Sequence, residues 1–367
     1  MSSIPSRPGF YYAIATSSLG QIEEIELPLS PPAPGQVLMK VFYGAMIPLD
    51  AYMVDLGYFV NEYPVVLGYS AAGTVEMLGE GVDDLKIGDK VTAFAFTPGS
   101  KALQRYCVQP RNLCAKVPDD YPLDQAAAIP DNFVAAFYSV VNGLSLSFPP
   151  TFPSTAPIPE NTTPVLVYGA GSTAAQYVIQ LLRIAGYTNV IATASVKNHE
   201  YVKSLGATHV FDYNDPKHTE EIVNAAGGNK VSVVFDPIAT QSTMKAVAEV
   251  VAEDATVAIL LPKKKGSTTI YVSSAGDMEM ELPKGEENPF GPGVKLVGVR
   301  TFLFQEDENL KNNLMPKILP QLLESGLLKP NRVKLLDTGS VKERVLEGLE
   351  LLRGNTVSGE KVIIKID

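Results

Sequence analysis

Along residues 165 to 299 the apolar side chains switch repeatedly between continuous runs and a three-to-four-residue repeat. Val165 to Tyr168 is an unbroken apolar run, Gly169 and Gly171 interrupt it, and Val178, Leu181, Leu182 and Ala185 then recur on one helical face up to Gly186. The run predicts a buried strand and the repeat an amphipathic helix. The alternation continues with a strand at Val190 to Ala194, a helix at His199 to Leu205 closed by Gly206, and a strand at Thr208 to Phe211. Thr219 to Ala225 predicts a helix, Val231 to Phe235 a strand, Gln241 to Val251 a helix, and Ala255 to Leu261 and Val294 to Val299 two further strands. Strands alternating with helices make a parallel sheet covered on both faces, so this part predicts a doubly wound α/β domain.

The first third of the chain follows another pattern. Gln36 to Ala45, Ser70 to Met77 and Lys90 to Phe96 read as strands separated by Gly, Pro and Asp turns, without long helices between them. Glycines between Leu67 and Val91 fall where strands turn or approach closely, which predicts a compact antiparallel barrel. Ser145 to Pro164 (SLSFPPTFPSTAPIPENTTP) is rich in Pro, Ser and Thr, which neither a helix interior nor a central strand accepts. It reads as a surface excursion within the domain crossover, or else as a disordered linker. No internal repeat is visible.

Composition narrows the function classes. With 367 residues, 46% hydrophobic and 19% charged, the chain has room for two domains and a sizeable core. A net charge of -10 argues against nucleic acid or an anionic membrane as a partner. The one basic run, Lys263 to Lys265, reads as a solvated loop. The opening MSSIPSRPGFYY lacks a signal-like apolar segment and no run reaches membrane-spanning length, so a cytoplasmic protein is expected. Two cysteines, Cys107 and Cys114, rule out a disulfide scaffold, and a single bond is unexpected in a reducing compartment.

The glycine-rich turn carries the first chemistry. Gly169 and Gly171 permit a tight turn with close backbone approach, Ala174 stands at the third position of G-x-G-x-x-G, and amides from Ser172 through Thr173 and Ala174 to Ala175 open the next helix. That geometry suits a pyrophosphate at a helix N-terminus, as in a Rossmann dinucleotide site; the alternative is an ordinary strand-to-helix turn. An acidic residue at the end of the second strand would select NAD, but the stretch reads Ala194-Ser195-Val196-Lys197-Asn198. A Ser195 hydroxyl and a Lys197 ammonium suit a 2′-phosphate, so NADPH is the expected cofactor. Asp236, Ile238, Leu261 and Pro262 end strands of the same sheet, where the nicotinamide side of the cofactor belongs.

These motifs together resemble the medium-chain dehydrogenase/reductase superfamily. The matching segments are Ile47-Pro48-Leu49-Asp50, Gly68 to Val75, Gly88-Asp89-Lys90-Val91, Ala126 to Pro130, the glycine-rich turn, and Ser358-Gly359-Glu360-Lys361. Within it the chain looks most like the fungal zinc-free branch that contains trans-acting enoyl reductases of polyketide synthases and their toxin-cluster relatives. The resemblance implies a GroES-like, partly open β-barrel catalytic domain over residues 1–132, a Rossmann domain over 133–300, and a return to the catalytic domain over 301–367. It also implies an active site in the cleft between them. Pro48 and Lys361 fall in its cofactor-side segments, and Tyr213 matches a tyrosine that zinc-free relatives place against the 2′-phosphate.

The resemblance also makes absent residues informative. Zinc-dependent members hold catalytic metal through a Cys at the position of Ile47 and a His-Glu pair at Tyr69 and Ser70, with Asp131 near the third ligand position. One carboxylate does not hold zinc, two cysteines cannot build a four-Cys site, and His199, His209 and His218 all lie in the Rossmann half. No metal is expected, and without a Lewis acid the reaction expected is hydride transfer to an already polarised C=C bond. Tyr52, where relatives carry lysine or tyrosine, or Tyr58 is the candidate donor to the substrate carbonyl or α-carbon; either could instead be packing. A threonine that relatives place against the nicotinamide is Ala135 here, leaving that task to Asn132 or to backbone groups. The implied function is NADPH-dependent, metal-free reduction of an unsaturated substrate, small or carrier-protein-bound, beside a polyketide synthase, by a monomer or homodimer. A stand-alone quinone or alkenal reductase and a non-catalytic NADPH-binding protein are the alternatives.

Overall fold

The structure is a computed structural model that describes residues 9–149, 152, 158, 161–265 and 271–367. The chain divides into two units, one of Met1–Asp131, Gln305–Gly326 and Pro330–Asp367, the other of Asn132–Phe304 and Leu327–Lys329.

The first unit begins with β1 (Phe10–Ser18), β2 (Gln21–Pro28), β3 (Gln36–Met46), α1 (Pro48–Leu56), β4 (Val65–Val66), β5 (Ser70–Leu78), β6 (Lys90–Phe94), β7 (Tyr106–Pro110), β8 (Cys114–Lys116) and α2 (Leu123–Ala127). Strands β2, β1 and β4 make a small antiparallel sheet, and β3 is the long member of the larger one. Along one edge β3 pairs with β5 from Val37 opposite Leu78 to Ala45 opposite Ser70, and along the other it meets β7 over Gln36 to Lys40. A Cβ on Gly73 would stand 1.8 Å from the Lys40 carbonyl oxygen, so the close β3–β5 approach needs glycine there. Every second residue of β3 turns inward: Val37, Met39 and Val41 pack with Ala71, Val75, Val91 and Ala93.

Helix α1 forms because its first residue, Pro48, has the fixed φ that a helix start requires, and Asp50 reaches back to the Ile47 N–H at 2.8 Å. Gly57 ends it at φ +63°, donating its N–H to the Tyr52 carbonyl.

The second unit holds most of α3 (Pro130–Tyr138), then β9 (Val165–Tyr168), α4 (Thr173–Ala185), β10 (Val190–Thr193), α5 (His199–Leu205), β11 (His209–Phe211), α6 (His218–Ala225), β12 (Val231–Asp236), α7 (Gln241–Val250), β13 (Val251–Leu260), β14 (Lys263–Lys264), β15 (Met278–Glu279) and β16 (Lys295–Val299). Six strands in the order β11-β10-β9-β12-β13-β16 make an all-parallel sheet. Leu166, Ile191, Val234 and Val257 pack against Ile222 of α6 and Met244 and Val247 of α7. Val165 and Val167, the alternate residues of β9, are equally buried, which is why its sequence is an unbroken apolar run. This is the doubly wound order that the sequence predicts, with its reversal between β9 and β12.

The chain then adds α8 (Glu308–Asn313), α9 (Leu319–Glu324), β17 (Arg332–Leu336), α10 (Val341–Arg353) and β18 (Glu360–Lys365) to the first unit. Ser340 and Glu343 cap α10 reciprocally, and β18 pairs antiparallel with the far end of β3 at Tyr43 to Met46. The large sheet runs β17-β18-β3-β5-β6-β8 with its end strands unjoined, the partly open barrel-like sheet expected of a GroES-like domain.

Two local expectations change. Lys263 and Lys264 are not solvated: both are buried, Lys263 pairing with Glu279 and Glu287, while the half-buried Lys265 pairs with Glu279 at 2.6 Å. Charge alone marked a surface loop there, but the acidic partners lie 14 to 24 positions downstream, beyond any local window. Of the Pro-rich stretch, Phe148 packs on Phe137 at 4.8 Å and Phe152 on Phe148 at 5.3 Å, whereas 150, 151, 153–157, 159 and 160 fall outside the described residues. Cys107 and Cys114 are both free and buried. Among the described residues no helix is long and apolar enough to cross a membrane.

Candidate active site

In the second unit the strand ends β9, β10, β12 and β13 converge on the glycine turn. Gly169 has φ +90°, and its N–H donates to Thr193 Oγ1 at 2.9 Å while the Ala170 N–H donates to the Thr193 carbonyl at 2.7 Å. A Cβ on Gly169 would meet Ile238 Cγ1 at 2.4 Å, so Ile238 covers the turn. Ser172 caps α4, its Oγ accepting from the Ala175 N–H at 3.2 Å. The Ala175 amide is thereby spent, and among the described residues the amides of Gly171 and Ala174 have no acceptor. Thr173 donates its hydroxyl to Asn132 Oδ1 at 3.3 Å, while Asn132 Nδ2 is sealed from solvent with no partner among the described residues. A sealed, unpartnered amide donor beside the first residue of α4 is a polar group that native interiors rarely leave unsatisfied.

Past β10, Ser195 is half-buried and accepts from Asn198 Nδ2 at 3.3 Å, and the exposed Lys197 makes no ion pair with a described residue. Because Thr193 stands opposite Phe211 in the parallel β10–β11 pair, the Ser195–Lys197 loop and the Tyr213 turn leave the sheet at the same end. Tyr213 is 44% exposed. Asp236 is committed to its own turn, accepting from the Ile238 and Ala239 amides at 2.9 and 3.0 Å and from the Thr243 hydroxyl at 2.6 Å. Burial pushes its carboxyl pKa up. Lys264 joins the two turns that carry Ile238 and Pro262, donating to their carbonyls at 2.7 and 3.4 Å. Burial draws its ammonium down to about 8, opposed by the Asp236 charge. Leu261 is held by its N–H to the Val299 carbonyl at 3.0 Å.

In the first unit α1 brings the tyrosines together. Tyr52 is buried and meets Tyr58 edge to face, ring centroids 6.5 Å apart. The Tyr58 hydroxyl is sealed and has no hydrogen-bond partner among the described residues, and burial pushes its pKa up. Pro48 begins α1, so its neighbourhood is set by the cap at Asp50. Asp50 is wholly buried, its two oxygens accepting from the Ile47 and Gly68 amides at 2.8 and 2.7 Å, and burial raises its pKa.

The positions matching metal ligands hold other chemistry. Ser70 donates to Asp131 Oδ1 at 2.8 Å and accepts from the Asp131 N–H at 3.0 Å, while Lys361 donates to Asp131 Oδ2 at 2.5 Å. Both charged groups are buried, Lys361 at 3% and Asp131 at 7% side-chain exposure. Lys361, assigned by resemblance to the cofactor side, therefore spends its ammonium on Asp131. Tyr69 donates to Met53 Sδ at 3.3 Å, and its ring receives the Lys101 ammonium at 3.2 Å from the centroid. Among the described residues no group of three or more His, Cys, Asp or Glu could hold a metal ion, and an ammonium beside Asp131 does not fit a zinc ligand set. The histidines do structural work: His199 and His218 bond the carbonyls of Ala194 and Asp215, and His209 stacks on Phe211.

Sequence reasoning missed Lys101, Thr193, Asn198 and Lys264. Thr193 has a signal, a hydroxyl at the end of the second strand; Lys101 and Lys264 have none, since a lysine's burial is set by distant partners.

Comparison with known proteins agrees with this architecture. Residues 33–119 match the alcohol dehydrogenase GroES-like domain, and 175–272 match the zinc-binding dehydrogenase family. The chain is 27% identical over 336 residues to the trans-enoyl reductase himH of Aspergillus japonicus, covering 90% of each chain. It is 32% identical over 251 residues to the dehydrogenase orsE of Emericella nidulans, covering 62% of this chain and 70% of that one. The crystal structure of CurK enoyl reductase superposes with a TM-score of 0.74 at 18% identity, covering 97% of this chain and 99% of that one. The chain belongs to the medium-chain dehydrogenase/reductase superfamily of oxidoreductases, with homology to the fungal trans-enoyl reductases.

Proposed function

We propose that this protein is an NADPH-dependent, metal-free reductase of activated C=C bonds, an enoyl reductase acting beside a polyketide synthase. The observation that carries the reaction class is that Ser70 and Asp131, at positions matching metal ligands, are bonded to each other and to the Lys361 ammonium. The relatives named trans-enoyl reductases support the same class. When bound, NADPH supplies a hydride, which an electron-poor alkene accepts at its β-carbon. Gly169, Gly171 and the amides opening α4 hold the pyrophosphate, with Ile238 closing over the turn. Ser195, Lys197 and Tyr213 hold the 2′-phosphate, a dianion that an unpaired ammonium and two hydroxyls suit. Ile238, Leu261 and Pro262 line the nicotinamide side, their turns fixed by Asp236 and Lys264. Asn132 directs its unpartnered Nδ2 toward cofactor or substrate, and Tyr58 offers its unpartnered hydroxyl to the substrate carbonyl, with Tyr52 packed against it.

Stopped-flow oxidation of NADPH by a panel of enoyl thioesters, enones and quinones tests the reading. Label from deuterated NADPH is expected at the β-carbon of a saturated product, and carrier-bound thioesters are expected to outperform free ones. Oxidation of simple alcohols with no turnover of the panel would overturn it.

A further inference from the structure

Lys101 is a buried charge that the proposed reaction does not use. The residue is 3% exposed, and its ammonium, with three donors, makes no hydrogen bond to any described residue. Its ammonium lies over the face of Tyr69, 3.2 Å from Nζ to the ring centroid. Asp50, whose charge acts on Lys101 without a hydrogen bond, already accepts from the Ile47 and Gly68 amides. Lys361, the other buried ammonium near Asp50, is taken by Asp131. The accessible remainder of Lys101 includes Nζ, which is not one of the polar atoms fully sealed without a partner.

An ammonium withdrawn from water costs several kcal/mol unless something accepts its protons, and an aromatic face returns only about 2 kcal/mol or a little more. Burial accordingly draws the Lys101 pKa down to about 7, against the pull of the Asp50 charge, and an anionic acceptor reaching the accessible Nζ would restore the ammonium. Tyr69 walls one side, and Met53 behind it belongs to α1, the helix that also carries Tyr52. We propose that the Lys101 ammonium is a binding site for a delocalised oxyanion, donating hydrogen bonds to the oxygen that becomes enolate-like in the substrate. This rests on the reading of the protein as a reductase of unsaturated carbonyl compounds, since that reaction develops negative charge on such an oxygen. Lys101 is then a second, charged donor besides the tyrosine hydroxyl, lying over the ring of Tyr69, one of the positions that match metal ligands.

The probe is 4-nitrophenolate, whose visible absorbance reports ionisation without cofactor or turnover. Wild-type protein is expected to bind it and to lower its apparent pKa, Lys101→Met to weaken binding at least tenfold and abolish the shift, and Lys101→Arg to restore part of both. No binding by wild type, or equal binding and ionisation by Lys101→Met, overturns the proposal. Should Lys101→Met fail to fold, reductive methylation of the wild type with peptide mass spectrometry decides. Protection of Lys101 by the probe supports the site, and labelling unchanged by the probe, or none, overturns it. Failure of the reductase reading would show separately, as absent NADPH oxidation with the oxyanion site intact.

Discussion

Replacing Lys361 by Met isolates the buried pair at the metal-ligand positions. The substitution keeps most of the side-chain volume and removes the cation bonded to Asp131, whose carboxylate is 7% exposed and retains the Ser70 hydroxyl. Breaking a buried pair by removing one partner costs about 3–5 kcal/mol, because the remaining charge is left uncompensated. The retained hydroxyl places the expected loss toward the lower end, about 3 kcal/mol. Asp131→Asn should cost a similar amount by stranding the ammonium. The double variant Asp131→Asn/Lys361→Met should return to within about 2 kcal/mol of wild type, since replacing both charges removes the desolvation cost of each.

Because the chain holds two units, a single unfolding free energy is not well defined for it. The assay is therefore hydrogen exchange with mass spectrometry on β5 and β18, the strands that carry Ser70 and Lys361, with urea unfolding by far-UV circular dichroism alongside. The chain has no tryptophan to report by fluorescence. A single-variant cost under about 1 kcal/mol, or a double variant worse than the sum of the singles, would refute the reasoning. A Lys361→Met protein of unchanged stability whose NADPH affinity falls tenfold would instead return Lys361 to the cofactor.

Gly169→Ala should lose cofactor binding and about 2–4 kcal/mol of stability, from a Cβ 2.4 Å from Ile238 Cγ1 and a positive φ; calorimetric titration with NADPH and thermal unfolding check both. Ser195→Asp/Lys197→Ala should weaken NADPH binding by about 1.5–3 kcal/mol per lost charge-assisted contact while leaving NADH nearly unchanged, so equal losses would clear that loop of any role at the 2′-phosphate. Tyr58→Phe should lower turnover at least tenfold with cofactor affinity kept, and an effect confined to Tyr52→Phe would move the role to that residue. Elemental analysis should find no stoichiometric zinc, and activity should survive a chelator.

The doubly wound sheet was legible because its strands are buried on both faces. Runs such as Val165 to Tyr168 and Val190 to Thr193 leave no polar face to confuse the period, and glycines at 186 and 206 mark the helix ends. The first unit was harder. Strand β1 has buried residues only over Ala13 to Thr16, and β2 has a mixed pattern, so neither stands out from a loop. Helix α1 is nine residues long and opens with Ile47-Pro48, which without the Asp50 backbone bond reads as an extended turn.

For the site, absences spoke more clearly than residues. Ile47 and Tyr69 cannot be metal ligands of the family's kind in any conformation, whereas a lysine such as Lys101 follows Pro98-Gly99-Ser100 with nothing local to mark it as buried. Its character comes from the Tyr69 ring, 32 positions earlier, and from Asp50, 51 positions earlier. What the fold assembles there is a balanced set of charges, Lys101 and Lys361 against Asp50 and Asp131, with Asp50 sensing both lysines. A catalytic metal would bring concentrated positive charge and require carboxylate, thiolate or imidazole to hold it. Here two ammonium groups bring positive charge on the polypeptide itself. One is neutralised by a hydrogen-bonded carboxylate and so holds the fold, while the other keeps its donors unspent. That inequality between two buried lysines separates scaffold from candidate chemistry, and it is invisible until the three-dimensional partners of each are known.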